Sequence, residues 1–287
     1  MNFWQKPLET IQSLLRRKAP KLRQLRHFPS NSLDREVEID IYLPPDYKYN
    51  GSKVYPLLLL NDGQDLPRMH FDIILERLYF EHKIPHIIVI GIHANAERIR
   101  EYGTVKQADY KGRGDKAWQY GKFVTEELIP YLQKQFKVSD TPENIAFAGF
   151  SLGALSAFDI AWANPQLFGN IGVFSGALWW RSAAVNPYNP DADRIMHDIV
   201  LTSHQVPEAQ YYWFQCGTKD EDEDRNHNGI IDAIDDTLDL IRALKYRNIN
   251  EVQIRYLEIE DGEHEPITWG KAMPDFLAWA FSKSQGD

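Results

Sequence analysis

The chain alternates between short apolar runs and longer segments with helical periodicity. The first apolar run alternates apolar with charged residues, which is typical of a half-exposed antiparallel strand, whereas the next five are almost continuously apolar, like strands covered on both faces. Strands that alternate with helices predict one α/β domain with a doubly wound, mostly parallel sheet and helices on both of its faces. The apolar runs lie at 37–43, 55–61, 86–92, 144–150, 170–176, 211–217 and 252–258, and the helical patterns lie at 70–82, 117–136, 152–164, 233–246 and 270–282.

A G-x-S-x-G motif stands between the predicted strand at 144–150 and the helical pattern that follows it. The motif reads Gly-Phe-Ser-Leu-Gly over 149–153, and a strand before it and a helix after it are the context of a nucleophile elbow. Glycines flank the serine because a side chain there would clash across the tight turn. The turn lifts the serine hydroxyl to the positive end of the following helix. The motif therefore predicts Ser151 as a nucleophile.

A serine hydroxyl needs a base to take its proton and an acid to orient that base. On sheets with such an elbow the chain order is serine, then acid, then histidine. His264 is the histidine that follows the last predicted strand, so we predict it as the base. We prefer Asp220 as the acid because the chain has just left the preceding strand there, with Glu221 and Asp222 as alternatives.

A tetrahedral oxyanion needs two fixed hydrogen-bond donors. The backbone N–H of Leu152, directly after the nucleophile, is the first candidate. The second should come from the loop after the strand at 55–61, where Gly63 lets the chain turn close to the site. We therefore predict the N–H of Gln64 or of Asp65 as the second donor.

The segment "DRNHNGIIDAID", at 224–235, has the spacing of a twelve-residue calcium loop with its glycine at the sixth position. Oxygen ligands at this spacing suit a hard cation such as calcium. Asp stands at the last position, where Glu closes a calcium loop more easily, and the alternative is a solvated turn that caps the helix at 233–246. We expect a structural calcium ion that supports the acid-bearing loop. The predicted ligands are Asp224, Asn226, Asn228, Ile230 (through its carbonyl), Asp232 and Asp235.

Composition and charge narrow the possible partners. The net charge is −9, and residues 220–236 carry eight carboxylates against one arginine, which excludes nucleic acid as an expected partner. No stretch of about 18 apolar residues exists, so no transmembrane segment is expected. The single cysteine, Cys216, excludes an internal disulfide, so nothing requires an oxidising compartment and we expect a cytoplasmic protein.

The N-terminal residues differ from the rest of the chain in charge. The first 27 residues hold seven Lys or Arg against one Glu, and apolar residues recur at helical spacing in Trp4, Leu8, Ile11 and Leu15. We predict a basic leader helix within residues 1–30, packed on the main domain of residues 31–287. A peripheral contact or an oligomer contact through this helix is the alternative.

Together these features resemble the putative-esterase family of α/β-hydrolases, which includes esterase D, feruloyl esterases, enterochelin esterases and mycolyltransferases. The resemblance runs from about Arg35 to Phe281 and implies the α/β-hydrolase fold, with Ser151 as nucleophile, His264 as base and Asp220 as acid. It also implies pocket walls at Glu101, Tyr102, Trp179 and Trp180. The segments that carry it are "REVEIDIYLPPDY", "LLLLNDGQDL", "NAERIREY", "EELIPYL", "GFSLGALSAF", "FSGALWW" and "DGEHEPITW".

The expected function is hydrolysis of a small-molecule carboxylic ester through a Ser-His-Asp triad and an acyl-enzyme intermediate. No organic cofactor is implied. Acyl transfer to an alcohol is an alternative that uses the same triad. A calcium-stabilised binding protein without turnover is the alternative from a different class.

Overall fold

The computed structural model describes residues 19–282, which form an eight-stranded sheet with helices on both faces. The strand order is β1-β2-β4-β3-β5-β6-β7-β8, and every pair from β4 to β8 is parallel. β2 is antiparallel to both β1 and β4. The predicted fold class is confirmed. The strands are β1 Lys21–Ser30, β2 Arg35–Leu43, β3 Leu57–Asn61, β4 Ile88–Ile92, β5 Ile145–Phe150, β6 Asn170–Phe174, β7 Tyr211–Lys219 and β8 Ile254–Glu263.

Helices lie between consecutive parallel strands of the sheet. A π-helical segment, Phe123–Leu128, joins α3 to α4, and 3₁₀ helices at Gly63–Met69, Pro142–Asn144 and Glu251–Gln253 complete the connections. No described helix is long and apolar enough to cross a membrane. The α-helices are α1 Phe71–Phe80, α2 Arg98–Glu101, α3 Ala117–Lys122, α4 Ile129–Gln135, α5 Leu152–Ala163, α6 Ile195–Thr202, α7 Asp232–Tyr246 and α8 Pro266–Phe281.

Two apolar layers enclose the sheet. One layer packs α3 to α7 against one face, with Phe158 of α5 and Leu240 of α7 fully buried. The other packs α1 and α8 against the opposite face, where Phe276 contacts Phe174 and Trp213 of the sheet. The central strands β3 to β6 are buried on both faces. Their nearly continuous apolar runs follow from this double coverage.

The predicted leader helix does not extend to residue 30. Residues 1–18 lie outside the described part of the chain, and Lys21–Ser30 form the edge strand β1. Most β1 side chains are exposed and several are basic, and only Phe28 and Ser30 are buried. Charged side chains are usual on an edge strand because they discourage pairing with another chain. Because these side chains are charged, β1 has no apolar pattern that would predict a strand. Its structure depends on the hydrogen-bonded ladder to β2.

A buried ion pair ties β2 to the segment after β4. Arg35, at the start of β2, donates two hydrogen bonds to the Glu101 carboxylate, from Nε to Oε1 at 2.7 Å and from Nη2 to Oε2 at 2.6 Å. The Glu101 side chain is only 2% exposed. Bidentate pairing compensates the loss of water around this carboxylate.

We predict that Arg35→Met destabilises the fold by about 3–5 kcal/mol, because it leaves the buried Glu101 charge without a partner. The double variant R35M/E101M should recover most of that loss, since it removes the charge as well. Urea unfolding of the two variants measures the change in the free energy of unfolding, as a shift of the midpoint concentration at an unchanged m-value. A loss below about 1 kcal/mol in R35M, or a double variant no more stable than R35M, would contradict the prediction.

Candidate active site

The elbow turn puts Ser151 in a strained backbone conformation between β5 and α5. Ser151 has φ 55° and ψ −123° and is half-buried, a conformation that is costly for a residue with a side chain. A Cβ on Gly149 would lie 2.4 Å from the Gly153 carbonyl oxygen, and a Cβ on Gly153 would lie 2.4 Å from Oδ2 of Asp62. Both glycines of the motif are therefore required by close contacts.

Hydrogen bonds from neighbouring strands hold the elbow in place. The Ser151 N–H donates to the Phe174 carbonyl at the end of β6, at 2.9 Å, and the Ala177 N–H donates to the Ser151 carbonyl at 3.1 Å. On the other side, Asn61 at the end of β3 donates from Nδ2 to the Gly153 carbonyl at 2.8 Å. The elbow is thus bonded to the strands on both sides of β5, so the position of Ser151 is fixed relative to the sheet edge.

The ends of β7 and β8 place Asp220 and His264 side by side. The two strands are parallel, and Gly217 pairs with Ile259 while Lys219 pairs with Glu263. Two residues of β7 therefore match four residues of β8, so β8 carries a two-residue bulge. Asp220 and His264 are the residues that directly follow this last pair.

Asp220 and His264 lie within ion-pair distance. The His264 Nδ1 atom is 3.9 Å from the Asp220 Oδ1 atom, and the Asp220 side chain is fully buried while His264 is partly exposed. Asp220 Oδ2 accepts a hydrogen bond from the Gly217 N–H at 2.9 Å, whereas Oδ1 has no hydrogen-bond partner among the described residues. The open acceptor therefore faces the imidazole that could satisfy it, and such contacts often tighten when substrate binds.

The environment shifts the pKa of both groups. Burial raises the pKa of Asp220, while the Gly217 N–H, the Ser175 hydroxyl and His264 act in the opposite direction. Burial lowers the pKa of His264 below its ordinary value; Asp220 opposes this effect and the Arg98 guanidinium adds to it. His264 is therefore neutral near pH 7, which is the form that accepts a proton.

The two rival carboxylates do not face His264. Glu221 is half-buried, and burial raises its pKa to about 7 against the opposing hydrogen bond with the Ala233 backbone at the start of α7. Asp222 is exposed. Of the three candidates for the acid, the structure brings only Asp220 to the histidine.

The predicted oxyanion donors lie in the first turns of two helices. Leu152 is the first residue of α5, and Gln64 is the second residue of the 3₁₀ helix that begins at Gly63. N–H groups in a first helical turn have no acceptor within the helix, so they are available to a ligand. The alternative prediction of Asp65 as the second donor is wrong, because the Asp65 N–H already donates to the Asp62 carbonyl at 3.0 Å.

Arg98 is a site residue that the sequence analysis did not single out. It donates two hydrogen bonds to the buried Asp62 carboxylate, each at 2.7 Å, and lies close enough to His264 to lower its pKa. Its Nη2 also lies 3.4 Å from the Phe150 carbonyl, directly before the nucleophile. It lies within the segment "NAERIREY", so the sequence did contain a signal for it.

Trp269 is a second residue that the sequence analysis did not single out. Its ring stacks on Phe150 with centroids 4.9 Å apart and lies edge-on to His264 at 5.4 Å. Its Nε1 donates to the Ser175 hydroxyl at 2.9 Å. Trp269 therefore links the nucleophile strand, the histidine and the surroundings of Asp220. It also lies in a quoted segment, "DGEHEPITW".

Three of the four predicted pocket walls are interior residues. Glu101 is bound to Arg35, Tyr102 packs against Tyr120, and Trp180 is fully buried. Each is too deep to contact a ligand directly, because the connections after β4 and β6 turn these side chains into the core. Trp179 is the exception, with 37% of its surface exposed.

The acidic loop brings part of the predicted ligand set together. Asn226 and Asn228 donate from Nδ2 to Oδ2 of Asp235, at 2.7 and 3.1 Å. Asp224 accepts from the N–H groups of Asn228 and Gly229, at 3.1 and 2.9 Å. Both amides present nitrogen to Asp235, so this set would fit a hard cation once the amide oxygens are turned toward it.

Two observations differ from the predicted arrangement of this loop. Asp232 points away, because its Oδ1 accepts from the Arg225 N–H at 2.9 Å. Asp235 also belongs to a carboxylate cluster with Asp191 and Asp239, which were not predicted as ligands, and the ligand atoms of this cluster lie within 4.8 Å of one another. Asp239 is already paired with Arg194 and Arg242, and these arginines reduce its value as a cation ligand.

Comparisons with known proteins identify the family and the fold of the chain. A family described as "Putative esterase" matches residues 30–280. The uncharacterized protein YbbA of Bacillus subtilis strain 168 is 28% identical over 167 residues, which cover 55% of this chain and 66% of that protein. The match thus spans just under two thirds of that relative.

Two solved structures share the fold at low sequence identity. The enterobactin esterase FES from Shigella flexneri superposes with a TM-score of 0.70 at 17% identity, over 93% of this chain and 60% of its own. A ferulic acid esterase superposes with a TM-score of 0.68 at 17% identity, over 92% of this chain and 99% of its own. These likenesses establish the fold.

We predict that the His264 imidazole titrates below pH 6.5 and that Asp220→Asn lowers its pKa further, because the carboxylate stabilises the imidazolium. The measurement is a pH titration of the imidazole C–H signals by NMR, with assignment from their loss in H264Q. Asp222→Asn is the matched control and should leave the titration unchanged. A His264 pKa above 6.5 would contradict the lowering by burial, and an unchanged or raised pKa in D220N would show that Asp220 does not act on this histidine.

Proposed function

This chain belongs to the putative-esterase family of carboxylic ester hydrolases, and we propose that it cleaves a small-molecule ester through Ser151, His264 and Asp220. The observation that carries the proposal is the alignment of Asp220 with His264, at the ends of neighbouring strands on the edge that also bears the elbow. The chain order serine, acid, histidine agrees with it.

In the acylation step, the Ser151 hydroxyl attacks the ester carbonyl carbon while His264 accepts its proton. Asp220 holds the imidazole in the tautomer that accepts at Nε2 and stabilises the imidazolium. The oxyanion receives hydrogen bonds from the N–H groups of Leu152 and Gln64. The C–O bond to the alcohol then breaks, and the imidazolium gives its proton to the leaving oxygen.

In the deacylation step, water attacks the carbonyl carbon of the acyl-enzyme and His264 accepts a proton from it. The tetrahedral species collapses with return of that proton to Ser151, which releases the carboxylic acid. The lowered pKa of His264 keeps the imidazole in its neutral form near neutral pH, so its nitrogen is free to accept a proton in both steps. Arg98 holds Asp62 against the elbow and keeps a positive charge near the site.

We also propose that the loop at 224–235 holds a structural calcium ion. Asp224, Asn226, Asn228 and Asp235 would supply side-chain oxygens and Ile230 its carbonyl, while Asp232 would act only through water. The proposal is supported by the two amides that converge on Asp235 and by Gly229, whose φ of 84° permits the sharp turn. A half-rotation of each amide would direct its oxygen to the point where its nitrogen now lies.

A cation in this loop would act on the triad indirectly. The loop begins four residues after Asp220 and runs directly into α7. It belongs to a segment with eight carboxylates over 220–236, whose mutual repulsion a divalent ion would reduce. The chemical contribution of calcium is therefore charge neutralisation that stabilises the loop.

We expect a fluorophosphonate probe to label the protein once, on Ser151, with peptide mapping by mass spectrometry as the measurement. Ser151→Ala should abolish labelling and lower kcat for an activated ester by at least about 10³-fold, because the attacking oxygen is lost. Ser182→Ala, a change on the surface, is the control and should retain both the labelling and the kcat of the wild type. A folded wild-type protein without any adduct would instead favour a binding protein.

Removal of calcium should lower the melting temperature by about 5–10 °C, as expected when an ion present at about 100 times its Kd is withdrawn. Scanning calorimetry with chelator, and then with added calcium, measures the shift. Asp235→Asn should abolish the response, whereas D222N, which changes an exposed acid outside the loop, should retain it. An equal response in D235N, or none in the wild type, would rule out this calcium site.

A further inference from the structure

Two buried polar side chains in and directly after β7 lack hydrogen-bond partners. Gln215 is 0% exposed, and neither its Nε2 nor its Oε1 has a partner among the described residues. The Asp220 side chain is also fully buried, and within the same part of the chain its Oδ1 is unpaired. Unpaired buried polar atoms are rare, because they lose water without replacement. Each of these side chains therefore needs a partner that residues 19–282 do not supply.

The surroundings of Gln215 are apolar in three directions. Its neighbours in the register are Phe174 of β6 and Leu257 of β8, and both belong to the apolar layer under α8. Two residues earlier in β7, Trp213 lies in the same layer. Because side chains alternate along a strand, Trp213, Gln215 and position 217 share one face. A polar partner of the Gln215 amide is therefore expected toward the carboxyl end of β7.

The carboxyl end of β7 has two hydrogen-bond acceptors on this face. A Cβ on Gly217 would lie 2.2 Å from the Gly262 carbonyl oxygen and 2.9 Å from Asp220 Oδ1. Both oxygens are thus on the side to which a side chain at 217 would point, which is also the side of Gln215. Gly262 belongs to the bulge of β8. The bulge and the acid therefore follow the Gln215 amide along the strand.

The spacing and chemistry of these groups fit one water molecule. Residues 215 and 217 are about 6.6 Å apart along the strand, and a water bridge between two polar atoms spans at most about 6 Å. One water can accept from Gln215 Nε2 and donate to both Asp220 Oδ1 and the Gly262 carbonyl. Buried waters typically make about three such hydrogen bonds.

We propose that Gln215 and Asp220 hold a buried water molecule behind the triad, and that Gln215 is a positioning residue that acts on the acid through this water. A carboxylate oxygen has two lone pairs, so Oδ1 accepts from the water and from the His264 imidazole together. Oδ2 is bonded to the Gly217 N–H at 2.9 Å. With both oxygens bonded, the plane of the carboxylate is fixed relative to the histidine. The water site is independent of the function proposed for Ser151, whereas the positioning role rests on it.

Ser175 completes the polar surroundings of the acid. It follows β6, is 1% exposed and has a φ of 45°, which is uncommon for a residue with a side chain. Its hydroxyl accepts from Trp269 Nε1 at 2.9 Å, so its own proton is available to the Asp220 carboxylate, whose pKa this hydroxyl lowers. The Gly217 N–H and Ser175 thus stabilise the carboxylate already, and the water adds a donor to the oxygen that lacks one.

A high-resolution crystal structure of the wild type tests the water site. We expect one solvent peak within about 2.7–3.2 Å of both Asp220 Oδ1 and a Gln215 amide atom. Gln215→Met, a side chain of similar length without hydrogen-bonding groups of that strength, should lack the peak. The site is rejected by the absence of a peak or by a direct bond from the amide to Asp220 or Gly262. A peak with oxygen contacts at about 2.3–2.6 Å would also reject it, because those are the distances of a bound cation.

The positioning role is tested in Gln215→Met and Gln215→Leu against Tyr256→Phe. The control also removes a buried polar atom without a partner, but Tyr256 packs in the layer on the other face of the sheet. Loss of a hydrogen bond to the carboxylate should raise the Asp220 pKa by about one unit. The carboxyl ¹³C signal, assigned by its loss in D220N, follows this titration. For an activated ester, kcat should fall about 10-fold at unchanged KM, and Y256F should match the wild type in both measurements.

An unchanged Asp220 pKa in Q215M and Q215L would reject the positioning role even if the water is present. Equal changes in these variants and in Y256F would reject it as well, because they would show a general loss of stability. A wild type that cleaves no ester would refute the function proposed for Ser151 and with it the positioning role. The crystal structure and the carboxyl titration would still decide whether Gln215 and Asp220 share a water.

Discussion

The close approach of the first turn of α5 to the ends of β3 and β5 is the constraint on which the rest of the site depends. Gly149 and Gly153 permit it, because a Cβ on either would overlap backbone or carboxylate atoms at 2.4 Å. Ser151 has a positive φ at this approach, and Leu152 begins the helix, where its N–H has no acceptor within the helix. The backbone strain at the proposed nucleophile and the position of the proposed oxyanion donor thus have one steric origin.

Paired charges hold the outer parts of this edge in place. Arg98 neutralises Asp62, which lies against Gly153. Glu101, three residues after Arg98, is neutralised by Arg35 of β2. The β4 connection is thereby attached both to the elbow and to the antiparallel side of the sheet. Such pairs contribute little net stability when complete but are costly to break. Their main effect here is to define one geometry around the nucleophile.

Sequence patterns located most of the fold because buried parallel strands need apolar runs, and the strands β2 to β8 lie within a few residues of the predicted ones. β1 escaped because its stability comes from the ladder to β2 and its side chains are charged. In the site, chain order placed Ser151, Asp220 and His264 on one edge. Chain order does not determine in which direction a side chain points after the end of a strand. Tyr102 and Trp180, which were predicted as pocket walls, therefore turned out to lie in the core.

Because of the two-residue bulge in β8, the side of the sheet on which His264 lies depends on whether the number of residues before it in this strand is odd or even. Successive residues of a strand point to opposite faces. Removal of one residue before Glu263 would turn the imidazole to the other side of the sheet, whereas removal of two would keep the side but draw it back by about 6.6 Å along the strand. Length variation in this strand is therefore restricted to changes compensated within the bulge, which keeps His264 next to Asp220.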